Sequence, residues 1–525
     1  MNGAKSLVNT LLQAGVDTCF ANPGTSEMHF VAALDQIPGM KCVLGLQENV
    51  VTGMADGYYR VTGKAACTLL HCSPGLANGW SNIHNAHRGE SAMVNIVGDQ
   101  ATFHRPYDAP LTGDTEALCT AISDWVRTSH KPEDVGRDAA QAVQVANTFP
   151  GKIASLILPA NASWEEGGVV PEQIPTAGAA ADLNPQAVQE AAEILREASK
   201  VLILLGGMAC RKEAQIMAWQ IAQAQGVDIL FDYQIGHVER GQGRPPIERL
   251  PYVLGGSLEV LKPYDHIVLV NAKAPVGFFA YPGMPSTKYR ADTVLHTLTR
   301  PNQDPIVALK AVAKALAIDL SKAEKPAIGK RPALATGELS AENVAQSIAA
   351  VIPEGTIIVD ESITFGRGFY KNTANAPAHT WLHVVGGAIG GGPPLATGAA
   401  VASKKQGRRV LNMQADGSAM YTVQSLWTQA REQLPVTTVI INNSQYQILI
   451  GEYYNVGAEP GQTAMNMLDL DNPAIDWVSM AKAMGVRAAT ANNLEQFNQL
   501  LQDSFKADGP FLIDLRVGKL HKPSK

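Results

Sequence analysis

The stretch QADGSAMYTVQSLWTQAREQLPVTTVIINN, Gln414 to Asn443, decides the fold of the chain. An apolar run, 409–413, precedes it, a second apolar run, 436–441, ends it, and apolar residues recur at helical spacing between them. This pattern predicts a βαβ unit with two parallel strands. Asp416 and Asn443 then fall at the carboxyl ends of the strands, where open α/β sheets bind ligands. Such an oxygen-only set favours Mg²⁺ holding a phosphate.

The same stretch resembles the diphosphate-binding motif of thiamine diphosphate (ThDP) enzymes, in which Gly-Asp-Gly is followed at a distance by Asn-Asn. Here 24 residues separate Gly417 from Asn442, a spacing that the motif allows. Ala415 stands where the motif has its first glycine. The substitution should cost little if Ala415 has a negative φ and about 1 kcal/mol if its φ is positive, so we expect binding to survive.

Composition indicates a large globular chain. The 525 residues are 46% apolar and 17% charged, which predicts about three domains with a sizeable buried core. The net charge of −6 and the absence of long basic runs argue against nucleic acid as a partner. None of the six cysteines forms a C-x-x-C pair, so a disulfide framework or zinc site is not expected, and a cytoplasmic location is predicted.

The N-terminus, residues 1–15, is typical of an amphipathic helix rather than of a signal peptide. No apolar run reaches the ~20 residues that a membrane-spanning helix needs, so no membrane association is expected.

Strand and helix patterns alternate in three units, 1–165, 185–318 and 340–525, with polar or Pro/Ala-rich linkers between them. Alternation of this kind predicts an α/β fold of three doubly wound parallel-sheet domains. The resemblance to ThDP enzymes implies the pyruvate decarboxylase-like architecture. The first unit would be the pyrimidine-binding domain, the second a Rossmann-like middle domain and the third the diphosphate-binding domain.

Glu48 follows a predicted strand, 41–46, and precedes a predicted helix. On its own it could be an acid that the helix dipole stabilises, with no further role. However, LQENVVTGMADGYYRVTGK resembles the ThDP-family pattern and places Glu48 at the glutamate that hydrogen-bonds the pyrimidine ring of the cofactor. In that family the two halves of the site come from different subunits. The resemblance therefore implies a homodimer at minimum, with a homotetramer as the expected assembly.

The segments NPGTSE and LLHCSPGLANG resemble the benzoylformate decarboxylase branch. A lone histidine at a strand end usually has a structural role, but the resemblance gives Thr25 to the substrate carboxylate and His71 to proton transfer, with Ser26 as a second candidate. The branch also has a histidine in the middle unit, where this chain has Phe279 and Ala280. We therefore expect the protonation step or the substrate to differ.

The glycine-rich segment 386–394 is, on its own, a flexible loop or a weak dinucleotide fingerprint. The resemblance makes it the support under the cofactor, with Ile389 bending the two rings towards each other and the backbone beside Gly387 accepting from the pyrimidine amine. Close backbone approach would account for the glycines.

The resemblance further implies the set that holds the diphosphate and the metal. Asp416, Asn443 and the backbone carbonyl of Gln445 would bind Mg²⁺. The cofactor would also contact Gly417 and Ser418 through backbone N–H groups at a helix start, and Tyr446.

Two further features leave alternatives open. Gly206-Gly207 follows an apolar run, as in half of a nucleotide-binding unit, but no acidic ribose partner stands out and FAD is not expected. Glu361, Ser362 and Thr364 follow a predicted strand and either line the pocket or cap a helix.

The prediction is an enzyme that decarboxylates a 2-oxo acid without oxidation, using ThDP and Mg²⁺, with carboligation as a second outcome. The alternative within the family is an acetolactate synthase-type carboligase acting on pyruvate. Outside it are a degenerate ThDP-binding regulatory protein and, on the glycine runs alone, a nicotinamide oxidoreductase. Motifs of zinc proteases, α/β-hydrolases and P-loop enzymes are missing.

Overall fold

The computed structural model describes residues 1–519. It confirms the predicted α/β fold, in which three units are each built on a parallel sheet. The last six residues of the predicted third unit, 520–525, lie outside the described residues. In each unit the central strands are buried and mostly apolar. That composition suits strands that helices cover on both faces.

The first sheet has the strand order β2-β1-β3-β4-β6-β5 and is parallel throughout. Its strands are Thr18–Ala21 (β1), Lys41–Leu44 (β2), Ala66–Leu70 (β3), Met93–Asp99 (β4), Trp125–Thr128 (β5) and Ile153–Pro159 (β6). Its helices are Gly3–Gln13 (α1), Met28–Gln36 (α2), Glu48–Thr62 (α3), Cys72–Arg88 (α4), Thr115–Thr120 (α5), Pro132–Ala146 (α6) and Ala160–Trp164 (α7).

The second sheet has the order β10-β8-β7-β11-β12 and is also parallel. The strands of this segment are Val201–Leu205 (β7), Asp228–Phe231 (β8), His237–Arg240 (β9), Glu248–Arg249 (β10), His266–Val270 (β11) and Val294–Thr299 (β12). The helices are Pro185–Glu197 (α8), Lys212–Gln225 (α9), Leu254–Leu261 (α10) and Pro305–Ala315 (α11). β9 does not join this sheet.

The third sheet has the order β17-β18-β16-β15-β13-β14-β9, in which β9 runs antiparallel to β14 at the edge. The other strands are Ile357–Glu361 (β13), His379–His383 (β14), Val410–Ala415 (β15), Val436–Asn442 (β16), Arg487–Ala491 (β17) and Phe511–Arg516 (β18). The helices are Ala341–Val351 (α12), Phe369–Asn372 (α13), Gly392–Ser403 (α14), Asp416–Ala419 (α15), Ser425–Arg431 (α16), Gln447–Asn455 (α17), Gln462–Leu468 (α18), Trp477–Ala483 (α19) and Leu494–Lys506 (α20).

The βαβ unit predicted from residues 414–443 is present, because β15 and β16 pair in parallel register. The residues with helical spacing between the two strands do not form a single helix. The segment forms two short helices, α15 and α16, with the chain leaving helical geometry over residues 420–424. In this break Thr422 donates its hydroxyl hydrogen to the carbonyl of Gly390 at 2.7 Å, so that side chain serves a neighbouring loop.

Helices α3 and α14 hold the first and third units together. Gly57 on α3 lies against the carbonyl of Leu395, and Gly398 on α14 lies against the backbone of Met54, so a Cβ at either glycine would overlap backbone atoms. Glycine on both helices therefore allows the two backbones to approach closely. The side chains around this contact form one buried cluster with members from both units.

Within residues 1–519, no helix combines the length and apolar character that a membrane crossing requires.

Candidate active site

A cavity of about 750 Å³ opens at the carboxyl ends of β13, β15 and β16. Eight of the residues predicted to bind the cofactor or metal line it, namely Gly387, Ile389, Asp416, Gly417, Ser418, Asn443, Gln445 and Tyr446. The other lining residues come from the middle and third segments of the chain, and none precedes Tyr233. The four predicted residues of the first unit, Thr25, Ser26, Glu48 and His71, are therefore not part of this cavity.

Asp416 is the charged centre of the cavity floor. Its Oδ1 accepts the N–H of Gly417 at 2.8 Å, and its Oδ2 accepts the N–H of Ser444 at 2.6 Å. Asn443 Oδ1 accepts the N–H of Gln445 at 3.0 Å, which fixes the second amide beside it. Burial raises the pKa of Asp416 to about 6, although backbone N–H donors oppose the shift.

These donors fit a hard divalent cation. Asp416 forms no ion pair with a basic side chain among the described residues, so its buried charge lacks a cationic partner in the chain itself. The neighbouring donor atoms are amide and carbonyl oxygens, which suit Mg²⁺. Gly417 lies against the ring of Tyr446, so a Cβ there would close the space beside the carboxylate. Residues 416–446 thus fit a magnesium-bound diphosphate.

Ala415 has φ −71° and ψ 144°, which is extended backbone that any L-residue adopts. The methyl group that replaces the motif's glycine hydrogen therefore costs little, as expected for a negative φ. The preceding residue, Gln414, is buried and donates from Nε2 to Ser418 Oγ at 2.6 Å and to Glu361 Oε2 at 2.9 Å. The start of the motif is thereby tied to β13.

Glu361, at the end of β13, anchors the glycine-rich loop under the cavity. Its two carboxylate oxygens accept the N–H groups of Gly390 and Gly392, each at 2.7 Å. Burial raises the pKa of Glu361 to about 7. Of the two roles left open for this residue, capping a helix and lining the pocket, the structure shows that it lines the cavity. In the sequence, Glu361 could be recognised by its position at the end of a predicted strand. That strand, β13, pairs with β15, which Asp416 follows.

The loop is also held from the side of the first unit. Asn85 donates from Nδ2 to the carbonyl of Ala388 at 2.8 Å and accepts the N–H of Ala388 at 3.2 Å. Gly387 has φ +80°, and a Cβ there would overlap the ring of Phe278. Ile389 is therefore presented by a loop whose backbone is fixed on both sides, which is what a rigid support for a cofactor requires.

Glu48 begins α3 and is buried, with 7% of its surface exposed. Asn78 donates from Nδ2 to Glu48 Oε2 at 3.2 Å. A Cβ built on Gly75 would lie 3.0 Å from Glu48 Oε1 and 3.3 Å from Cβ of His71, so this glycine keeps the two side chains on one surface. Glu48 and His71 thus belong to one group of residues in the first unit.

His71 precedes α4 and contacts a buried carboxylate that the sequence reasoning did not single out. Glu27 Oε2 lies 3.0 Å from His71 Nδ1 and also accepts the N–H of Gly24 at 2.7 Å. Glu27 is only 1% exposed, and Gly98 leaves the room that its carboxylate occupies. The signal was present in the segment NPGTSE, where an acid follows the two hydroxyl residues.

Of the two hydroxyl candidates, Ser26 is the one that reaches the histidine. Its Oγ lies 3.3 Å from His71 Nδ1 and 3.1 Å from Cys72 Sγ, and it donates a short hydrogen bond to Glu27. Thr25 is exposed at the same surface and makes no side-chain hydrogen bond within residues 1–519. Cys72 is a further member that was not predicted, and its φ of 52° is a strained conformation for a non-glycine residue.

In the middle segment, the position expected for a second histidine contributes aromatic surface instead. Phe279 lines the cavity beside Phe278, with ring centroids 5.0 Å apart, whereas Ala280 does not line it. Tyr252 continues the wall, 5.5 Å from Phe278. The cavity therefore has an apolar aromatic side that faces the glycine-rich loop.

Comparison with known proteins gives a consistent result at both ends of the chain. Residues 1–118 match the family model described as thiamine pyrophosphate enzyme, N-terminal TPP binding domain, and residues 367–515 match the corresponding C-terminal TPP binding domain. A Mycobacterium tuberculosis protein named "Putative acetolactate synthase large subunit IlvX" is 46% identical over 523 residues, covering 99% of this chain and 100% of that protein.

A benzoylformate decarboxylase of Pseudomonas aeruginosa is 27% identical over 536 residues, covering 96% of this chain and 97% of that protein. Among solved structures, the thiamine diphosphate-dependent 4-hydroxybenzoylformate decarboxylase of Rhodococcus jostii RHA1 superposes with a TM-score of 0.84 at 24% identity. That match covers 99% of this chain and 100% of the other, and at this identity it supports the fold alone.

Proposed function

Because the chain belongs to the thiamine pyrophosphate enzyme family, we propose that it decarboxylates a 2-oxo acid without oxidation, with ThDP and Mg²⁺ as cofactors. The observation that carries this proposal is the pairing of His71 with the buried Glu27 beside Glu48. A histidine held by a carboxylate near the cofactor's reacting carbon is suited to proton transfer, which decarboxylation to an aldehyde requires.

In this proposal the third unit holds the cofactor. Asp416, Asn443 and the carbonyl of Gln445 would bind Mg²⁺, and Gly417, Ser418 and Tyr446 would contact the diphosphate. Ile389 supports the rings from a loop that Glu361 fixes. Thiamine diphosphate, when bound, supplies the electron sink that accepts the pair of electrons released as CO₂ leaves.

The first unit handles protons and the substrate carboxylate. Glu48 would share a proton with the pyrimidine ring of the bound cofactor. Ser26 or Thr25 hydrogen-bonds the substrate carboxylate before CO₂ leaves. His71, oriented by Glu27, delivers the proton that the former carbonyl carbon gains, so that one 2-oxo acid yields one CO₂ and one aldehyde.

The assembly follows from the separation of the two groups of residues. Since no residue of the first unit lines the cavity in one chain, we propose that Glu48 and His71 of one subunit complete the cavity of another. A homodimer is the smallest assembly that satisfies this arrangement, and a homotetramer is the expected assembly.

The second candidate is an acetolactate synthase-type carboligase. The M. tuberculosis relative carries that name, and Phe279 stands where the decarboxylase branch has its second histidine. The two candidates differ in the product that they release. The test is incubation of the chain with ThDP and Mg²⁺ and either pyruvate or an aryl 2-oxo acid. The expected result is free aldehyde, and acetolactate as the main product would favour the alternative.

A degenerate ThDP-binding protein without catalytic activity is the outcome to exclude in the same experiment. The retained carboxylates Glu48 and Asp416 argue for catalysis. Glu48→Ala should abolish turnover while leaving the fold intact, and unchanged turnover in this variant would contradict the proposed role of Glu48.

A further inference from the structure

One end of the cavity carries a carboxylate with no cationic partner. Glu452 lies on α17 and lines the cavity. Tyr281, in the middle segment, donates its hydroxyl hydrogen to Glu452 Oε2 at 2.7 Å, and Asn455 donates to the same oxygen at 3.4 Å. No described residue donates to Oε1, and Glu452 forms no ion pair anywhere in residues 1–519. One carboxylate oxygen is thus free to accept from a ligand.

Aromatic side chains connect this carboxylate with the glycine-rich loop. Phe278 packs on Gly387, and the ring of Tyr252 lies 5.5 Å from that of Phe278. Tyr252 in turn lies near enough to Glu452 for the carboxylate to raise the pKa of its phenol, after the larger effect of burial. A substrate that reacts above Ile389 would extend along this wall towards Glu452.

Tyr281 fixes the orientation of the carboxylate. Burial, followed by the hydrogen bond to Glu452, raises the pKa of Tyr281 to about 12, so the phenol remains a donor across the pH range in which proteins are stable. Arg249, Arg367 and Lys371 are basic side chains that line the cavity, and the guanidinium of Arg367 lies 5.7 Å from the ring centroid of Tyr252. None of these three basic side chains forms an ion pair with Glu452, so none of them neutralises the free oxygen.

A carboxylate at the end of an aromatic wall favours a particular kind of ligand. Aromatic faces attract cations, and a carboxylate binds a guanidinium or ammonium more strongly than it binds a neutral donor. An anionic group at this position would be repelled. We propose that Glu452 selects a 2-oxo acid whose side chain ends in a guanidinium or ammonium group, with Tyr281 holding the carboxylate in place. This inference rests on the proposed decarboxylase function.

The test compares two 2-oxo acids that differ in charge and hardly in shape. The substrates are 2-oxo-5-guanidinopentanoate and its neutral ureido analogue, 2-oxo-5-ureidopentanoate, assayed with the full chain, ThDP and Mg²⁺ for release of CO₂. The expected kcat/KM is at least about tenfold higher for the guanidino acid. Glu452→Gln, which keeps the shape and removes the charge, should bring the two values together, mainly through KM for the guanidino acid.

Two matched variants complete the design. Glu459→Gln removes a charge from an exposed glutamate that does not line the cavity, and it should retain the preference. Tyr281→Phe should reduce the preference without removing it, because the charge remains and only its orientation is lost.

Equal kcat/KM values in the unaltered chain, or a preference that Glu452→Gln leaves unchanged, would overturn the inference. Decarboxylation of neutral 2-oxo acids alone would leave the proposed function standing and remove only the cation site. Failure to decarboxylate any 2-oxo acid would overturn both, and it would do so independently of Glu452.

Discussion

Oε2 of Glu27 lies 3.0 Å from Nδ1 of His71, and the same oxygen accepts the backbone N–H of Gly24 at 2.7 Å. The carboxylate therefore connects the loop that carries the hydroxyl residues with the residue proposed to move the proton. Glu27 is 1% exposed, so water has little access to the carboxylate side of this contact. Glu27 touches neither cavity nor cofactor residues of its own chain, so we regard it as a positioning residue.

Glu27→Gln should lower kcat about 10- to 100-fold, because the amide keeps the bond to Gly24 but removes the charge that orients His71. KM and the thermal midpoint should change little, since no substrate contact and no side-chain volume is lost. The measurement is a double-mutant cycle with His71→Ala. If Glu27 acts through His71, the double variant should be no slower than His71→Ala alone. Independent, additive losses would contradict the positioning role.

Glu361 predicts a pH dependence of stability in the apoprotein. Burial raises its pKa to about 7, above the ordinary value of 4.5, so the folded state holds the proton more tightly than the unfolded state. This contribution to stability is fully present below about pH 4.5 and is lost as the pH rises to about 7, with an upper limit of roughly 3 kcal/mol. In Glu361→Gln the part of the pH dependence of the free energy of unfolding that comes from this carboxyl group should disappear.

The measurement is the urea midpoint of both proteins between pH 4.5 and pH 8. Asp416, whose pKa is also raised, contributes a slope of the same sign, so the difference between the two proteins isolates Glu361. Parallel curves for the unaltered chain and Glu361→Gln would show that the carboxyl group does not titrate in this range.

The fold could be predicted from the sequence because its signal is local and repeated. Apolar runs of strand length, each followed by a glycine or a helix start, define the parallel sheets, and the spacing between Gly417 and Asn442 identifies the βαβ unit that carries the ligand edge. Four of the eight cavity residues lie within this unit, two directly follow it, and two lie in the glycine-rich loop before α14. The diphosphate-binding motif and the glycine-rich segment were therefore both needed to find them.

The side chains that orient the site could not be found in this way. Glu361 is hydrogen-bonded to Gly392, which is 31 residues away in the sequence. Glu452 is hydrogen-bonded to Tyr281, which is 171 residues away. No periodicity encodes such contacts, because they depend on how sheets and loops pack. The break in the helix after Asp416 has a similar origin, since Thr422 bonds to the carbonyl of Gly390 in another loop and helical periodicity alone does not reveal this.

A site shared between subunits predicts complementation between two inactive variants. Glu48→Ala removes the residue proposed to face the pyrimidine, and Asp416→Asn removes the residue proposed to hold the metal. In a mixed dimer one site then carries both changes and the other carries neither. After subunit exchange, an equal mixture should recover about a quarter of the unaltered activity, because about half of the dimers are mixed and each has one intact site.

The control is each variant put through the same exchange with itself, which should remain inactive. If both residues acted in one chain, the mixture would also remain inactive, and the shared site would be wrong. Mixed-dimer formation should be verified with a mass-distinguishable tag, so that lack of exchange is not mistaken for lack of complementation.

Asp416 also predicts the effect of the metal on stability. Its buried carboxylate has no cationic partner in the described chain, so Mg²⁺ with ThDP should bind the folded state and raise the thermal midpoint, as any ligand specific for that state does. Asp416→Asn should itself fold well at neutral pH, because it removes a buried charge. Its thermal midpoint should no longer rise when Mg²⁺ and ThDP are added.

Ala415→Gly is the matched control at the neighbouring position. With φ −71° at Ala415, glycine relieves no strain and should leave the rise unchanged. A rise that survives in Asp416→Asn, or one that increases in Ala415→Gly, would show that the metal is held elsewhere or that the alanine does hinder binding.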